Sequence, residues 1–315
     1  SKNKNVKKEE IYLFSESGND FAGTVYTLKT DRYGLIKVAE INTGFMFRQK
    51  DDLRFFPAVM DHFIEWANSN KASYIRLTPW VPMSKNDQIT DLYSVFNDAL
   101  TGKGFKAIKE GRHTYLIDLK LDEDILLSKM NQPTRKLIQR ALKSDMEFKV
   151  FEALNDELLE TFWTLYHKLA QNKKISSLSQ EAFFTQVKGM FERKEALLFV
   201  VICSGRIISV VMASKLGTPQ PLHGGIDAEY KTMKSCISPG PSSIWSIITT
   251  FKNLGYKTYD MGFCPGKIPV ESHPHFNIWK FKHNFGPDHM QFMPTYGKVL
   301  RPVSGRILQY LIYKK

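Results

Sequence analysis

From Asp51 to Asn68 the apolar positions Phe56, Val59, Met60, Phe63, Ile64 and Ala67 recur at helical spacing on one face, which predicts an amphipathic helix. On either side the pattern changes to strand-type residues. IYLFSE and FAGTVYTLKT flank the turn Ser17-Gly18-Asn19-Asp20, and ASYIRLTP reads as a further strand. A second helix, Ile89 to Leu100, stops at Gly102 and Gly104, and HTYLIDLKL is the next strand. LDEDILLSKM predicts a short helix with acids in its first turn, and Pro133 opens another that ends at Ala141 or Leu142. EFKVFEA is strand-like; helices follow from Asp156 to Ala170 and from Ser179, a suitable N-cap, to Phe191. ALLFVVIC, the turn Ser204-Gly205-Arg206 and IISVVMASKL form another hairpin. PLHGG, a helix from Pro241 to Lys252 and the strand YKTYDMG complete the series.

The order hairpin, helix, polar break and strand thus occurs twice, with YIRLTP and YKTYDMG in corresponding places. This predicts an α/β (α+β) chain built by duplication of a unit of about 150 residues. The expected domains are 1–147, with the tail 295–315 packing back on it, and 148–294. The tail itself reads as a strand-like piece followed by a short amphipathic helix.

A chain of 315 residues with 43% hydrophobic content has material for two cores. Its 44 basic against 32 acidic side chains leave a net charge of +12, so the expected partner is anionic: nucleic acid, a phosphorylated nucleotide or an anionic membrane face. No apolar run reaches the roughly 18–20 residues of a membrane span, and SKNKNVKKEE does not read as a signal peptide. Cys203, Cys236 and Cys264 are odd in number and widely spaced, without a Cys-x-x-Cys pair. They predict no disulfide framework, no zinc site and a reduced, cytoplasmic protein.

Gly-x-Ser-x-Gly and Walker-type loops are absent. His273 and His275 in SHPHF have no neighbouring ligand to complete a metal site. Asp118 and Asp260 each read as a strand end, suited to a general base or to a local cap. His223 precedes Gly224-Gly225, where the missing side chains suit either close approach of a ligand or a plain turn. SPGPSSIW opens a helix whose N-terminus suits an anion, although capping by Ser238 or Ser242 explains it equally well. NIWKFKHNFG alternates aromatics with cations. As a strand it would put Trp279, Phe281 and His283 on one face and Lys280 and Lys282 on the other. A lysine beside a cleft can stabilise an oxyanion without metal; the plain alternative is a solvated lysine face.

Taken in order, these segments resemble the Fem family of peptidoglycan-bridge aminoacyltransferases. HTYLIDLKLDEDILLSKMNQPTRKLIQRALKSDMEFKV is similar to that family's strand, short helix and basic Thr-Arg-x-x-Ile-x-x-Ala helix. LGYKTYDMG resembles its Gly-x-x-x-Tyr-Asp-x-Gly strand, IWKFKHNFG its Phe-Lys-x-x-Phe-Gly segment, and GFMFRQKDDL its strand into the first-domain helix. The resemblance implies two tandem acetyltransferase-like (GNAT) domains. The interval from Phe162 to Leu198 is too short for the coiled-coil arm of some members. It implies that Phe281 and Lys282 carry catalysis, the ammonium stabilising the oxyanion and the backbone carbonyl at the aromatic position helping with the proton.

The sequence departs from the family where His223 replaces a substrate-contacting tyrosine and where QNKKISS, with Lys173 and Lys174, replaces an Arg-Asp pair. His223, Gly224, Asp260, Lys173 and Lys174 are the expected substrate contacts, and Arg135, Lys136, Arg140 and Lys143 the expected nucleic-acid contacts. The activity implied is transfer of an amino acid from aminoacyl-tRNA to an amine of a UDP-linked or lipid-linked peptidoglycan precursor. No cofactor or metal is implied, and the charge allows peripheral contact with an anionic membrane. The alternatives are an acyl-CoA-dependent N-acyltransferase in envelope polysaccharide synthesis, which the unmatched pyrophosphate loop disfavours, and a non-catalytic RNA- or nucleotide-sugar-binding module.

Overall fold

A computed structural model describes residues 6–14, 21–30, 36–42, 44–47, 50–173, 176–233 and 235–302. The turn at Ser17–Asp20, Lys174 and the expected C-terminal helix lie outside the described residues. The chain forms two compact units, residues 1–113 with 290–315, and residues 114–289.

The first unit contains strands β1 (Val6–Phe14), β2 (Phe21–Thr30), β3 (Lys37–Asn42) and β4 (Met46–Phe47), helix α1 (Phe56–Ser69), strands β5 (Tyr74–Thr78), β6 (Pro82–Lys85) and β7 (Gln88–Ile89), helix α2 (Asp91–Gly102) and strand β8 (Lys106–Lys109). The last described strands, β15 (Asp288–Phe292) and β16 (Thr295–Val299), return to it from Met290 on. Its main sheet has the order β1-β2-β3-β5-β16-β8, with β4 beside β2. Strands β3 and β5 are parallel from Val38–Tyr74 to Asn42–Thr78, with α1 as the crossover. Helix α1 begins at Phe56 rather than Asp51, because Pro57 suits a first turn and residues 50–55 form a 3-10 turn. Its buried face is the expected one with Trp66 added, while Ile64 is half-buried.

The second unit contains β9 (His113–Asp118), α3 (Glu123–Lys129), α4 (Gln132–Leu142), β10 (Glu147–Phe151), α5 (Asp156–Lys173), α6 (Gln180–Glu192), β11 (Ala196–Cys203), β12 (Arg206–Ser214), β13 (Gln220–Ile226), α7 (Pro239–Asn253), β14 (Thr258–Cys264) and α8 (Phe276–His283). Segment 114–147, assigned from the sequence to the first domain, falls in this unit. Strand β9 pairs with β14, and Leu126, Met130 and Ile138 enter the core formed with α7. The antiparallel sheet β10-β11-β12-β13 is covered on both faces. Leu197 and Phe199 pack with Trp245, Ile248 and Phe251 of α7. Leu198 and Val200 pack with Phe162, Phe183 and Val187 of α5 and α6. Burial on both faces is why β11 is an unbroken apolar run rather than an alternating one.

The expectation of three reduced cysteines is corrected. Cys203, at the end of β11, is bonded to Cys236, with Cα atoms 6.0 Å apart, and Cys264 is the buried free thiol. The partners are 33 residues apart in sequence. They meet because β12 and β13 run out and back and a 3-10 turn at Ala228–Thr232 returns the chain to the end of β11. Spacing along the chain carries no sign of that return.

The two units differ at one place that matters for the site. In the first, β3 and β5 are hydrogen-bonded neighbours. In the second, the corresponding β13 and β14 lie in different sheets. They are tied where the Asp260 amide donates to the Pro219 carbonyl at 2.8 Å. Helix α8 follows β14 in the chain.

Candidate active site

Residues Phe276–His283 are helical, which corrects the strand reading of NIWKFKHNFG. The spacing of aromatics serves a helix as well as a strand: Trp279 and His283, four apart, stack at 4.9 Å with an interplanar angle of 16°. In a helix Lys280 and Lys282 point to opposite sides. Lys280 is exposed and Lys282 is half-buried. The Lys282 ammonium donates to the Phe263 carbonyl at 2.7 Å. Gly262 beside it sits at φ +77°, a backbone conformation that favours glycine. Burial pushes the Lys282 pKa down to about 8, against the pull of Cys264 and Asp260.

Asp260 lies inside β14 rather than at its end and is buried. Its carboxylate accepts from the Thr114 hydroxyl and from the Gly262 amide, the latter at 2.7 Å. Burial raises its pKa, and these two donors with Lys282 oppose the rise. Asp118, which does end its strand, is a local cap that accepts from the Lys120 amide at 3.1 Å. Cys264 is pushed up to about 11 chiefly by burial, which keeps it a thiol at neutral pH. The Phe281 ring packs against Gly240, where a Cβ would meet it at 3.4 Å. The Phe285 amide, the regular α-helical partner of the Phe281 carbonyl, donates instead to the Lys282 carbonyl at 3.1 Å. The Phe281 carbonyl therefore lacks its usual donor.

The N-terminus of α7 does not fit an anion cradle. Pro239 and Pro241 supply no N–H, so two of the first three helical donors are missing. The Ser242 hydroxyl donates to the Pro239 carbonyl at 3.1 Å, and Ser238 makes no side-chain cap bond. His223 packs against the rings of Tyr166 and Phe183, at 5.3 and 5.4 Å, with Nε2 3.3 Å from the Gln186 side-chain oxygen. Burial lowers its pKa. The glycines beside it serve packing. A Cβ at Gly225 would come within 2.5–2.6 Å of Leu165 and Tyr166 in α5, and one at Gly224 within 3.3 Å of the Val210 carbonyl. His223 and Gly225 thus belong to the α5–α6 side of β13 and Gly224 to the other face, beside Val211 of β12, whereas Asp260, Phe281 and Lys282 gather around β14 and α8.

Lys173 is exposed at the end of α5. On α4, capped by Asn131 accepting from the Thr134 amide at 3.0 Å, Thr134, Ile138 and Ala141 turn inward. Lys136, Arg140 and Lys143 are exposed and Arg135 is half-exposed, so the four form one basic face. His273 and His275 sit in the turn before α8, the His275 amide donating to His273 Nδ1 at 3.1 Å.

Sequence reading placed Trp279 only on an aromatic face and did not select Thr114, Phe263, Tyr115 or Lys267. The Lys267 carbonyl accepts from the Tyr115 hydroxyl at 3.1 Å and from Trp279 Nε1 at 2.7 Å. Burial is the main cause that pushes Tyr115 up to about 12. The apolar residues after YDMG in FC were the available sign that β14 continues past Asp260 to the Phe263 carbonyl. The first unit holds a separate cavity of about 300 Å³ lined by Arg76, Lys109, Arg112 and Trp80 among others. There the Arg112 guanidinium lies 5.1 Å from the Trp80 ring centre.

This architecture is a tandem acetyltransferase (GNAT) fold. A family model described as an acetyltransferase (GNAT) domain matches residues 128–266. Among solved structures, FemX aligns over 98% of this chain and 91% of its own, with a TM-score of 0.79 and 16% identity. L-PGS from Bacillus licheniformis aligns over 97% and 90%, with a TM-score of 0.56 and 14% identity. A tandem GNAT protein from the clavulanic acid biosynthesis pathway aligns over 94% and 84%, with a TM-score of 0.50 and 12% identity. No curated protein matches by sequence. The chain is therefore Fem-like in fold, without a coiled-coil arm among the described residues.

Proposed function

We propose that this protein is an acyltransferase that moves an aminoacyl group from aminoacyl-tRNA to an amine of a peptidoglycan precursor, UDP-linked or lipid-linked. The observation that carries the reading is the half-buried Lys282 ammonium held against the Phe263 carbonyl near the end of β14. The acceptor amine attacks the ester carbonyl, the new N–C bond forms and the C–O bond to the tRNA ribose breaks. The amine proton ends on the ribose oxygen. Lys282 faces the oxyanion that develops between these events, and the Phe281 carbonyl, short of its helical donor, is an acceptor for the amine proton. Such a reaction requires a fixed positive charge and positioning, not a nucleophile or a metal. The basic face of α4 suits the tRNA.

The family-model match favours a second reading, transfer from acyl-CoA. The two prolines in the first turn of α7 weigh against it, because they remove backbone donors a CoA pyrophosphate would use. The deciding experiment incubates the protein and precursor with either charged tRNA or acyl-CoA and reads product by mass. An aminoacyl increment with charged tRNA is expected; product with acyl-CoA alone would replace this reading by the second.

Two further outcomes are expected. The Asp260 carboxylate favours the charged form of Lys282, so Asp260→Asn should lower the Lys282 pKa further below about 8. Because the ammonium is the working form, the alkaline limb of the pH–rate profile should then move to lower pH. Reversing Arg135, Lys136, Arg140 and Lys143 to Glu should weaken tRNA binding. It should also flatten the log–log salt dependence by about 0.7–0.9 for each phosphate that is no longer neutralised, as measured by filter binding at several salt concentrations.

A further inference from the structure

The loop between β14 and α8 carries the two most exposed large aliphatic side chains among the described residues, Ile268 at 76% and Val270 at 70%. Phe263 and Ile278, at its two ends, are also exposed. The loop is built, not loose. Pro265, Pro269 and Pro274 restrict its backbone. The Lys267 carbonyl is held by the Tyr115 hydroxyl and by Trp279 Nε1. On the far side of the tip, the His273 amide donates to the Val270 carbonyl at 2.9 Å. Ile268-Pro269-Val270 is thus pinned at both ends with its aliphatic side chains in water, an arrangement that marks an interaction surface.

The surrounding charge narrows the partner. Residues 263–283 contain three lysines and three histidines against the single carboxylate of Glu271. A nucleic acid would meet the cations but offers little to projecting aliphatic side chains, since most of its contacts are polar and made to phosphate. An anionic bilayer meets both. Its headgroups pair with Lys267 and Lys280 while the aliphatic tip enters the boundary between headgroups and acyl chains. We propose that residues 264–278 form a membrane-docking tip, in which Ile268 and Val270 insert into the interfacial layer of an anionic phospholipid bilayer. The proposal goes beyond the transfer reaction and does not depend on which group is transferred.

The test uses the full chain and vesicles of phosphatidylcholine with or without about one-third phosphatidylglycerol. The wild type should sediment with the anionic vesicles. Ile268→Ser/Val270→Ser should lower the partition coefficient by at least about tenfold, the effect expected when two aliphatic side chains no longer leave water. Both residues are exposed, so thermal unfolding of the double variant should match the wild type. A polarity-sensitive fluorophore on Ile268→Cys should shift to the blue on binding and be quenched by lipids labelled at shallow depth. Undiminished binding of the double variant would overturn the proposal, leaving the contact to basic faces alone. A bound protein whose fluorophore still reports water would overturn it too. So would absence of binding to anionic vesicles, or a double variant that keeps vesicle binding and loses tRNA binding or self-association instead.

Discussion

Lys282→Ala is expected to lower the transfer rate by about 10²–10³-fold, the loss typical of one oxyanion donor, while the fold persists. The side chain is half-buried and its ammonium donates to the Phe263 carbonyl, so its removal takes away charge more than packing. Helix α8 keeps its other anchors: Phe281 against Gly240, Phe281 against Phe285 at 5.4 Å, and Trp279 on the Lys267 carbonyl. Single-turnover rates at saturating substrate, read beside circular dichroism, check both halves of this expectation. Lys282→Arg separates charge from position. A guanidinium stays protonated at all working pH values, so any activity it retains should lack the alkaline fall near pH 8 that the wild-type lysine produces. Turnover like the wild type in Lys282→Ala would remove this residue from the chemistry.

Gly225→Ala is expected to destabilise the second unit by about 3 kcal/mol, near the upper end for overpacking a tight interior. The new Cβ would stand 2.5 Å from the Leu165 carbonyl carbon and 2.6 Å from the Tyr166 nitrogen. These are backbone atoms of a helix, which no rotamer change can move. Helix α5 must lift from β13 and loosen the core that holds Phe162, Phe183 and Val210. For a unit of this size that corresponds to a fall in melting temperature of roughly 6–12 °C. Gly224→Ala, whose closest contact would be 3.3 Å to the Val210 carbonyl, should cost clearly less. Scanning calorimetry of the two variants tests the difference. If instead Gly225 were there to admit substrate, its replacement would change KM and leave the melting temperature unmoved.

These glycines show where sequence reading stops. Gly224-Gly225 beside His223 looks the same whether a ligand, a turn or a neighbouring helix takes the space of the missing side chains. The three possibilities differ only in what lies across the strand, and that is α5, about sixty residues earlier in the chain. His223 follows the same rule. Its contacts with Tyr166, Phe183 and Gln186 arise because β12 carries β13 back under α5 and α6.

The strand expectation for 276–283 failed for a different reason. A period-two alternation of aromatic and basic residues from Trp279 to His283 also satisfies the i, i+4 stack of Trp279 on His283, so the pattern was ambiguous and the backbone decided. The outcome reversed the relation between the two lysines. It left Lys280 in solvent and turned Lys282 toward the Phe263 carbonyl.

What the sequence by itself determined is the order of most helices and of the longer strands, though not the short strands such as β6 and β8 or the helical state of α8. Apolar spacing marks the face of α1, Ser179 caps its helix through its side-chain oxygen, and Ser204-Gly205 supplies the two positive φ values of its hairpin turn. These are local interactions, decided within a few residues, and they repeat often enough to expose the duplicated plan. The ordered motifs also pointed to Lys282 and Asp260 as residues of interest. Only the tertiary structure decided that Asp260 receives the Thr114 hydroxyl, that Cys203 meets Cys236, that segment 114–147 belongs with the second unit, and that β13 and β14 part where β3 and β5 pair. Each depends on groups far apart in the chain, and burial makes their chemistry. The Lys282 pKa moves to about 8 chiefly because packing removes water from around it, a cause with no counterpart in the order of residues along the chain.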